Sequence, residues 1–299
     1  MISGQKLFLG GTAVGLFSWA ATAMAVPMSC PRGGVMERIV HDAVGDGRLQ
    51  RVGYGYAVID AGSGRTKCED YYEEHRGVYP ASTIKTLVAI AVLRQVDCGI
   101  IQLDQKVVID QPSADLDNQD RADYRRGQVH TVIDLLADMQ IYSNNIATNQ
   151  LIDLVGKPFI NATADALGAP TLRVYRKVYT DVPAEPDNPR RNEATVRGYI
   201  ELYRELASGA LGVLSTDSRR LLVGLLAQCH TNNRLGKDFP DSVTFHHKTG
   251  STSDSSSDAG FYFLDNGDAA ILVGLQDFRD FPALARAGLA LFNLLRSQL

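Results

Sequence analysis

Charge of either sign in excess is missing from this 299-residue chain. Its 30 basic and 34 acidic side chains leave a formal net charge of −4, too little to argue for nucleic acid or an acidic membrane surface as a partner. Internal repeats, heptad seams and low-complexity blocks are also absent, which removes solenoids, coiled coils and disordered arrays from consideration. Ser251 to Ser257 is rich in serine but too short for a linker. Cysteine is sparse: Cys30, Cys68, Cys98 and Cys229 are the only four, and none stands in a C-x-x-C or Cys/His zinc spacing. No metal or organic cofactor is expected. The four thiols could close two disulfides in three pairings, among which the sequence does not choose. The single tryptophan, Trp19, lies in the N-terminal segment, and no second long apolar run follows it.

That N-terminal segment reads as an export signal. Lys6 is its one charge, an apolar stretch runs from Leu7 to Ala25, and Ala23-Met24-Ala25 forms an A-x-A cleavage pattern. Residues 1–25 are therefore expected to be a signal peptide and 26–299 a monomeric domain in the periplasm or outside the cell. Alternatives are an uncleaved anchor, or a lipoprotein acylated at Cys30, for which Pro27-Met28-Ser29 is a poor lipobox.

Hydrophobic periodicity puts helices over residues 34–44, 82–96, 131–139, 145–155, 194–206, 216–226 and 282–295. Strands are expected over 51–60, 65–70, 242–248, 259–264 and 269–276, the last two joined by the turn Asp265-Asn266-Gly267-Asp268. Residues 111–127 read as a polar loop. Strands at both ends and helices between them imply an α/β (α+β) fold, an antiparallel sheet with terminal helices and an inserted all-helical subdomain. We place the sheet subdomain at 30–75 and 230–299, and the helical subdomain at 76–229.

Three short segments carry chemistry. Ser82-Thr83-Ile84-Lys85 puts an amine three residues from a hydroxyl, on one face of a helix. A lysine set among Ile84, Leu87 and Val88 loses solvation, which favours its neutral form and lets it accept the serine proton. The helix N-terminus adds a positive dipole end. Ser143-Asn144-Asn145 supplies a hydroxyl able to relay a proton and a carboxamide, Asn145, able to hold a substrate amide or Lys85. Lys248-Thr249-Gly250 ends a strand. Gly250 permits close backbone approach, Lys248 and Thr249 suit a carboxylate, and the N–H of Ser251 could donate to an oxyanion. Each segment alone also fits a bland role, as helix cap or strand end. His246 and His247 adjoin on a strand, point to opposite faces and cannot easily share a metal; one is expected to be packed and hydrogen-bonded.

Together these segments resemble the penicillin-recognising serine hydrolases, in particular the class A β-lactamase-like family. Tyr79 to Lys85 is similar to the family's aromatic-Pro-Ala-Ser-x-x-Lys segment, Thr131 to Leu151 to its helix and hydroxyl-x-Asn pattern. The separations 143 − 82 = 61 and 248 − 143 = 105 suit its layout. The resemblance implies that Ser82 is the acylated nucleophile, Lys85 its base, Ser143 the proton shuttle and Lys248 the partner of a substrate carboxylate.

Two departures stand out. Asn144 replaces the family's usual Asp, expected to alter a structural network more than the chemistry. More seriously, no Glu-x-x-x-Asn motif stands between Arg173 and Glu193 to activate a deacylating water. Asn188 to Asn192 echoes it with Asn in the glutamate's place, while Asp181 and Glu185 are candidate carboxylates in the same loop. The reading that follows is an exported serine hydrolase opening β-lactams. The alternatives are a D-Ala-D-Ala peptidase, transpeptidase or slow-turnover penicillin-binding protein acting on cell-wall peptide, and a non-catalytic acylated receptor.

Overall fold

The computed structural model describes residues 34–110, 124–178 and 190–297. Five antiparallel strands form its main sheet, in the order β2-β1-β7-β6-β5: β1 Val52–Ile59, β2 Thr66–Tyr72, β5 His246–Ser251, β6 Ser256–Phe263 and β7 Ala269–Gln276. The first hairpin thus pairs with the last one, β1 on β7, with Tyr56 opposite Leu272. All eight residues of β1 are buried, because both faces of the sheet are covered. On one face Tyr54, Tyr56 and Val58 pack with Met36 and Val40 of α1 (Val35–Val44) and Leu291 of α8 (Phe281–Arg296). On the other, Ala57 and Ile59 join a larger core with α6 (Val196–Ser208) and the helical region.

Small residues set these approaches. A Cβ at Gly55 would lie 2.6 Å from a methyl of Val196, so glycine lets α6 sit down on β1. On α8, a Cβ at Gly288 would lie 2.0 Å from the carbonyl oxygen of Leu235, a backbone atom that cannot swing aside. Gly288→Ala is therefore expected to lower stability by about 1–3 kcal/mol; a urea midpoint equal to wild type would show that α8 can shift freely.

The helical region comprises α2 Lys85–Asp97, α3 Val132–Ile141, α4 Asn145–Val155, α5 Lys157–Ala166 and α7 Thr216–Leu226. Every residue of α2 from Lys85 to Leu93 is buried, as befits a helix wrapped on all sides. Thr131 and Asp134 form a capping box that starts α3. A short sheet pairs β3 (Lys106–Val108) with β4 (Val129–Thr131).

Differences from the sequence reading are local. The strand expected from Ser242 begins only at His246, because Val243 N closes a turn on the Pro240 carbonyl. Helix α5 and the β3/β4 pair were not foreseen. Cys98 and Cys229 are free thiols and Cys68 is disulfide-bonded, so two disulfides do not form. Among the described residues no helix is long and apolar enough to cross a membrane. The expected signal segment, Cys30, Asp181 and Glu185 lie outside the described residues.

Candidate active site

Ser82 does not open an α-helix directly. It lies half-buried on a 3-10 turn, Ala81–Ile84, that runs into α2. The carbonyl of Pro80 accepts from Thr83 Oγ1 at 2.6 Å and from Ser257 Oγ of β6 at 2.8 Å, which ties the turn to the sheet. Ala81 holds the left-handed region, φ 50°, immediately before the serine, a conformation costly without a reason to hold it. Gly250 of β5 packs directly on this turn. A Cβ there would lie 2.7 Å from Pro80 O and 2.8 Å from Ser82 N, so any side chain would push the strand off the serine.

Lys85 is wholly buried and sits one helical step from Ser82. Its Nζ donates to Asn145 Oδ1 at 2.6 Å and to Ser143 O at 2.6 Å, and lies 3.2 Å from Ser143 Oγ. Ser143 can offer both oxygens because it too is left-handed, φ 62°, at the junction of α3 and α4. Gln140 of α3 donates to the Lys85 carbonyl at 2.9 Å, locking α3 on α2. Asn144, the departure from the family pattern, caps α4: its Oδ1 accepts from Ala147 N at 2.8 Å.

Along β5, Lys248 is fully buried, Thr249 is 5% exposed and Ser251 is exposed. Lys248 Nζ donates to the Thr249 carbonyl at 3.1 Å. Burial lowers the Lys248 pKa, with the Cys229 and Asp258 charges opposing that and Arg234 reinforcing it. Ser251 Oγ accepts from Arg234 Nη2 at 3.1 Å. Arg234 was missed in the sequence. It is 3% exposed, stacks over the Phe281 ring at 4.2 Å, and its Nε and Nη1 have no acceptor among the described residues. Only a folded loop brings it to β5, so periodicity carries no trace of it.

The chain that leads to Asp181 and Glu185 is clipped by asparagines. Asn149 of α4 exchanges two hydrogen bonds with the backbone of Val178, at 2.9 Å each. Asn161 does the same for Val174, at 3.1 and 2.8 Å. Asn192, the end of the motif echo, is buried and accepts from Tyr175 N at 2.8 Å and Arg176 N at 3.0 Å. Its side-chain oxygen thus holds backbone.

His246 and His247 point apart, as alternation requires. His246 stacks on Phe261 and His247 is buried against Asp258, Nδ1 to Oδ1 2.8 Å. Among the described residues no group of three or more His, Cys, Asp or Glu could hold a metal ion.

The structure brings Ser82, Lys85, Ser143, Asn145 and Gly250 into one constellation at the junction of sheet and helices, with Lys248, Thr249 and Ser251 running past it on β5. Solved structures share this architecture. PBP-A superposes with a TM-score of 0.75 at 19% identity, over 91% of this chain and 99% of that one. A point variant of PBP-A, solved as an acyl-enzyme complex with penicillin G, gives 0.74 at 20%, over 91% and 99%. The β-lactamase of Sphaerobacter thermophilus gives 0.71 at 26% identity, over 87% and 96%. No curated protein matches the chain in sequence. The profile of the beta-lactamase enzyme family matches residues 47–291, and the chain belongs to that family.

Proposed function

We propose that this protein is an exported serine hydrolase that opens the β-lactam amide through an acyl-enzyme on Ser82. The observation that carries the reading is the buried Lys85 amine, held by Ser143 and Asn145 on the turn after Ser82. In this scheme Ser82 Oγ attacks the lactam carbonyl carbon as its proton passes to Lys85. The N–H groups of Ser82 and Ser251 receive the oxyanion, an arrangement supported by the packing of Gly250 on the Ser82 amide. The ring C–N bond then breaks, and Ser143 Oγ protonates the departing nitrogen. Asn145 holds the substrate amide. Lys248, Thr249 and the unpartnered nitrogens of Arg234 hold the carboxylate. Water finally releases the acid from Ser82.

One observation favours a second reading. No Glu-x-x-x-Asn motif stands between Arg173 and Glu193, which suits a D-Ala-D-Ala peptidase or penicillin-binding protein whose acyl-enzyme persists. Intact-protein mass against time after adding a penicillin separates the two. An adduct that appears and clears, leaving opened product, supports the β-lactamase. A persistent adduct supports the second reading, and no adduct refutes both.

If a carboxylate of the 179–189 segment activates the water, Asp181→Asn or Glu185→Gln should trap the acyl-enzyme without slowing its formation. We expect release to slow by about 10²–10⁴-fold in the correct variant. Unchanged turnover in both would exclude either side chain as the base.

A further inference from the structure

Asp258 is a charged residue in the middle of a buried strand, and a buried carboxylate needs partners. It has two. Its Oδ2 accepts from Leu235 N at 3.1 Å and its Oδ1 faces His247 Nδ1 at 2.8 Å. The register explains the second: Thr249 lies opposite Asp258 and Gly260 opposite His247, so the two side chains are diagonal neighbours on one face. Gly260 is required there, since a Cβ would lie 2.4 Å from that of His247. Phe245 stacks on the imidazole at 4.6 Å and fixes its plane. The sheet thus holds Asp258 in place, and Asp258 in turn holds a loop.

Leu235 follows Arg234, and its peptide is gripped from both sides. The N–H goes to Asp258, and the carbonyl oxygen packs so closely on α8 that only glycine fits at 288. Gly236 is buried as well, and Lys237 N closes the turn on the Arg234 carbonyl at 3.0 Å. Arg234 therefore leaves a fixed backbone, and its guanidinium lands at the end of β5. Nη2 donates to Ser251 Oγ at 3.1 Å, and the plane covers the Phe281 ring at 4.2 Å. Nε and Nη1 are buried with no acceptor among the described residues. Two unmet donors on a buried side chain, beside the strand that carries Lys248 and Thr249, make a place for an anion. Burial lowers the Arg234 pKa, and the Asp258 charge is the largest effect opposing it.

We propose that Asp258 is a positioning residue: by holding the Leu235 amide it sets the Arg234 guanidinium at the end of β5, and so selects substrates that carry a free carboxylate beside the departing nitrogen. The inference rests on the acyl-enzyme reading and adds the residue behind its substrate preference. Asp258 touches no substrate. It acts through one peptide bond on the side chain that does, and His247 fixes its own orientation. The effect belongs to binding: Ser82, Lys85 and Ser143 are held by other contacts, so the bond-making step should not feel it.

The test follows acylation of the full protein by intact mass, over a range of concentrations of benzylpenicillin and of its methyl ester, which lacks the carboxylate charge. Wild type should prefer the acid. Asp258→Ala leaves the Leu235 N–H unpaired, and we expect the preference to fall about tenfold, through the half-saturating concentration of the acid and not its limiting rate. Asp258→Asn keeps an oxygen for that N–H and should retain most of the preference. With Arg234→Gln in place, Asp258→Ala should lower the preference no further. Equal slowing of acid and ester, an unchanged preference, or losses that add would each overturn the proposal. If Asp258→Ala does not fold, Gly288→Ala decides, because it presses on the same peptide from the carbonyl side; an unchanged preference there also overturns the proposal. No adduct on wild type from either compound refutes the acyl-enzyme reading itself, and this inference with it.

Discussion

Ser82→Ala is expected to abolish covalent labelling by any β-lactam and to cut turnover by on the order of 10⁶-fold, as in other enzymes that lose a nucleophile. Of the site residues it is the cleanest to remove. Ser82 is half-buried on a turn held by Pro80, Thr83 and Ser257 through contacts that its hydroxyl does not make. Its loss should therefore leave the thermal midpoint within a few degrees of wild type. Lys85→Ala would be harder to interpret, because it strips a buried donor from the Ser143 and Asn145 oxygens and adds a packing defect to a chemical one. The measurement is intact mass after exposure to penicillin, alongside steady-state hydrolysis of a chromogenic cephalosporin. An adduct that survives on Ser82→Ala would remove Ser82 as the nucleophile.

How much of this was legible depends on how local the cause is. Ser82 and Lys85 are three residues apart, so helical geometry alone relates them. The exact start of the helix was not legible. The Pro80 carbonyl is drawn into contacts with Thr83 and with Ser257, 177 residues away, and the first turn tightens to 3-10. Ser143 and Asn145 were readable as a pair, and the Asn145 carboxamide as a partner for a substrate amide or Lys85, but their bonds to Lys85 span 58 and 60 residues, a distance no local pattern could close. Helix α5 was missed because Lys157-Pro158 looks like the end of an element, whereas the proline occupies the first turn, where its missing N–H costs nothing. Arg234 and Asp258 were missed for a shared reason. Their meaning lies in burial, which appears only when the 227–245 loop and β6 close on β5. A charge inside the apolar run of β6 was the available signal, and His247 was the partner to look for.

The same pairing leads to a stability result with a definite sign. In the folded protein His247 titrates near 9 and Cys229 near 6. In the unfolded chain the order is reversed, with histidine near about 6.5 and cysteine near about 8.5. A raised histidine stabilises below its unfolded pKa, and that contribution is lost as pH rises through about 9. A depressed thiol stabilises above its unfolded pKa, and that contribution is lost as pH falls through about 6. Between these limits the folded pair holds one proton, on His247, and the unfolded pair also holds one, on the cysteine. The two slopes cancel, so the pair itself makes stability independent of pH across this window. Cys229→Ala breaks the cancellation. Asp258 still raises the His247 pKa, by less than in the wild type because the Cys229 contribution is gone, so over the part of the window below the variant's His247 pKa stability should fall with pH by up to about 1.4 kcal/mol per unit. Urea midpoints of variant and wild type at pH 6.5 and 9 give the difference, in which every other titrating group cancels. We expect the variant to lose about 1 kcal/mol more than wild type over that interval. Parallel curves would mean that folded Cys229 keeps its proton and that His247 takes none in exchange.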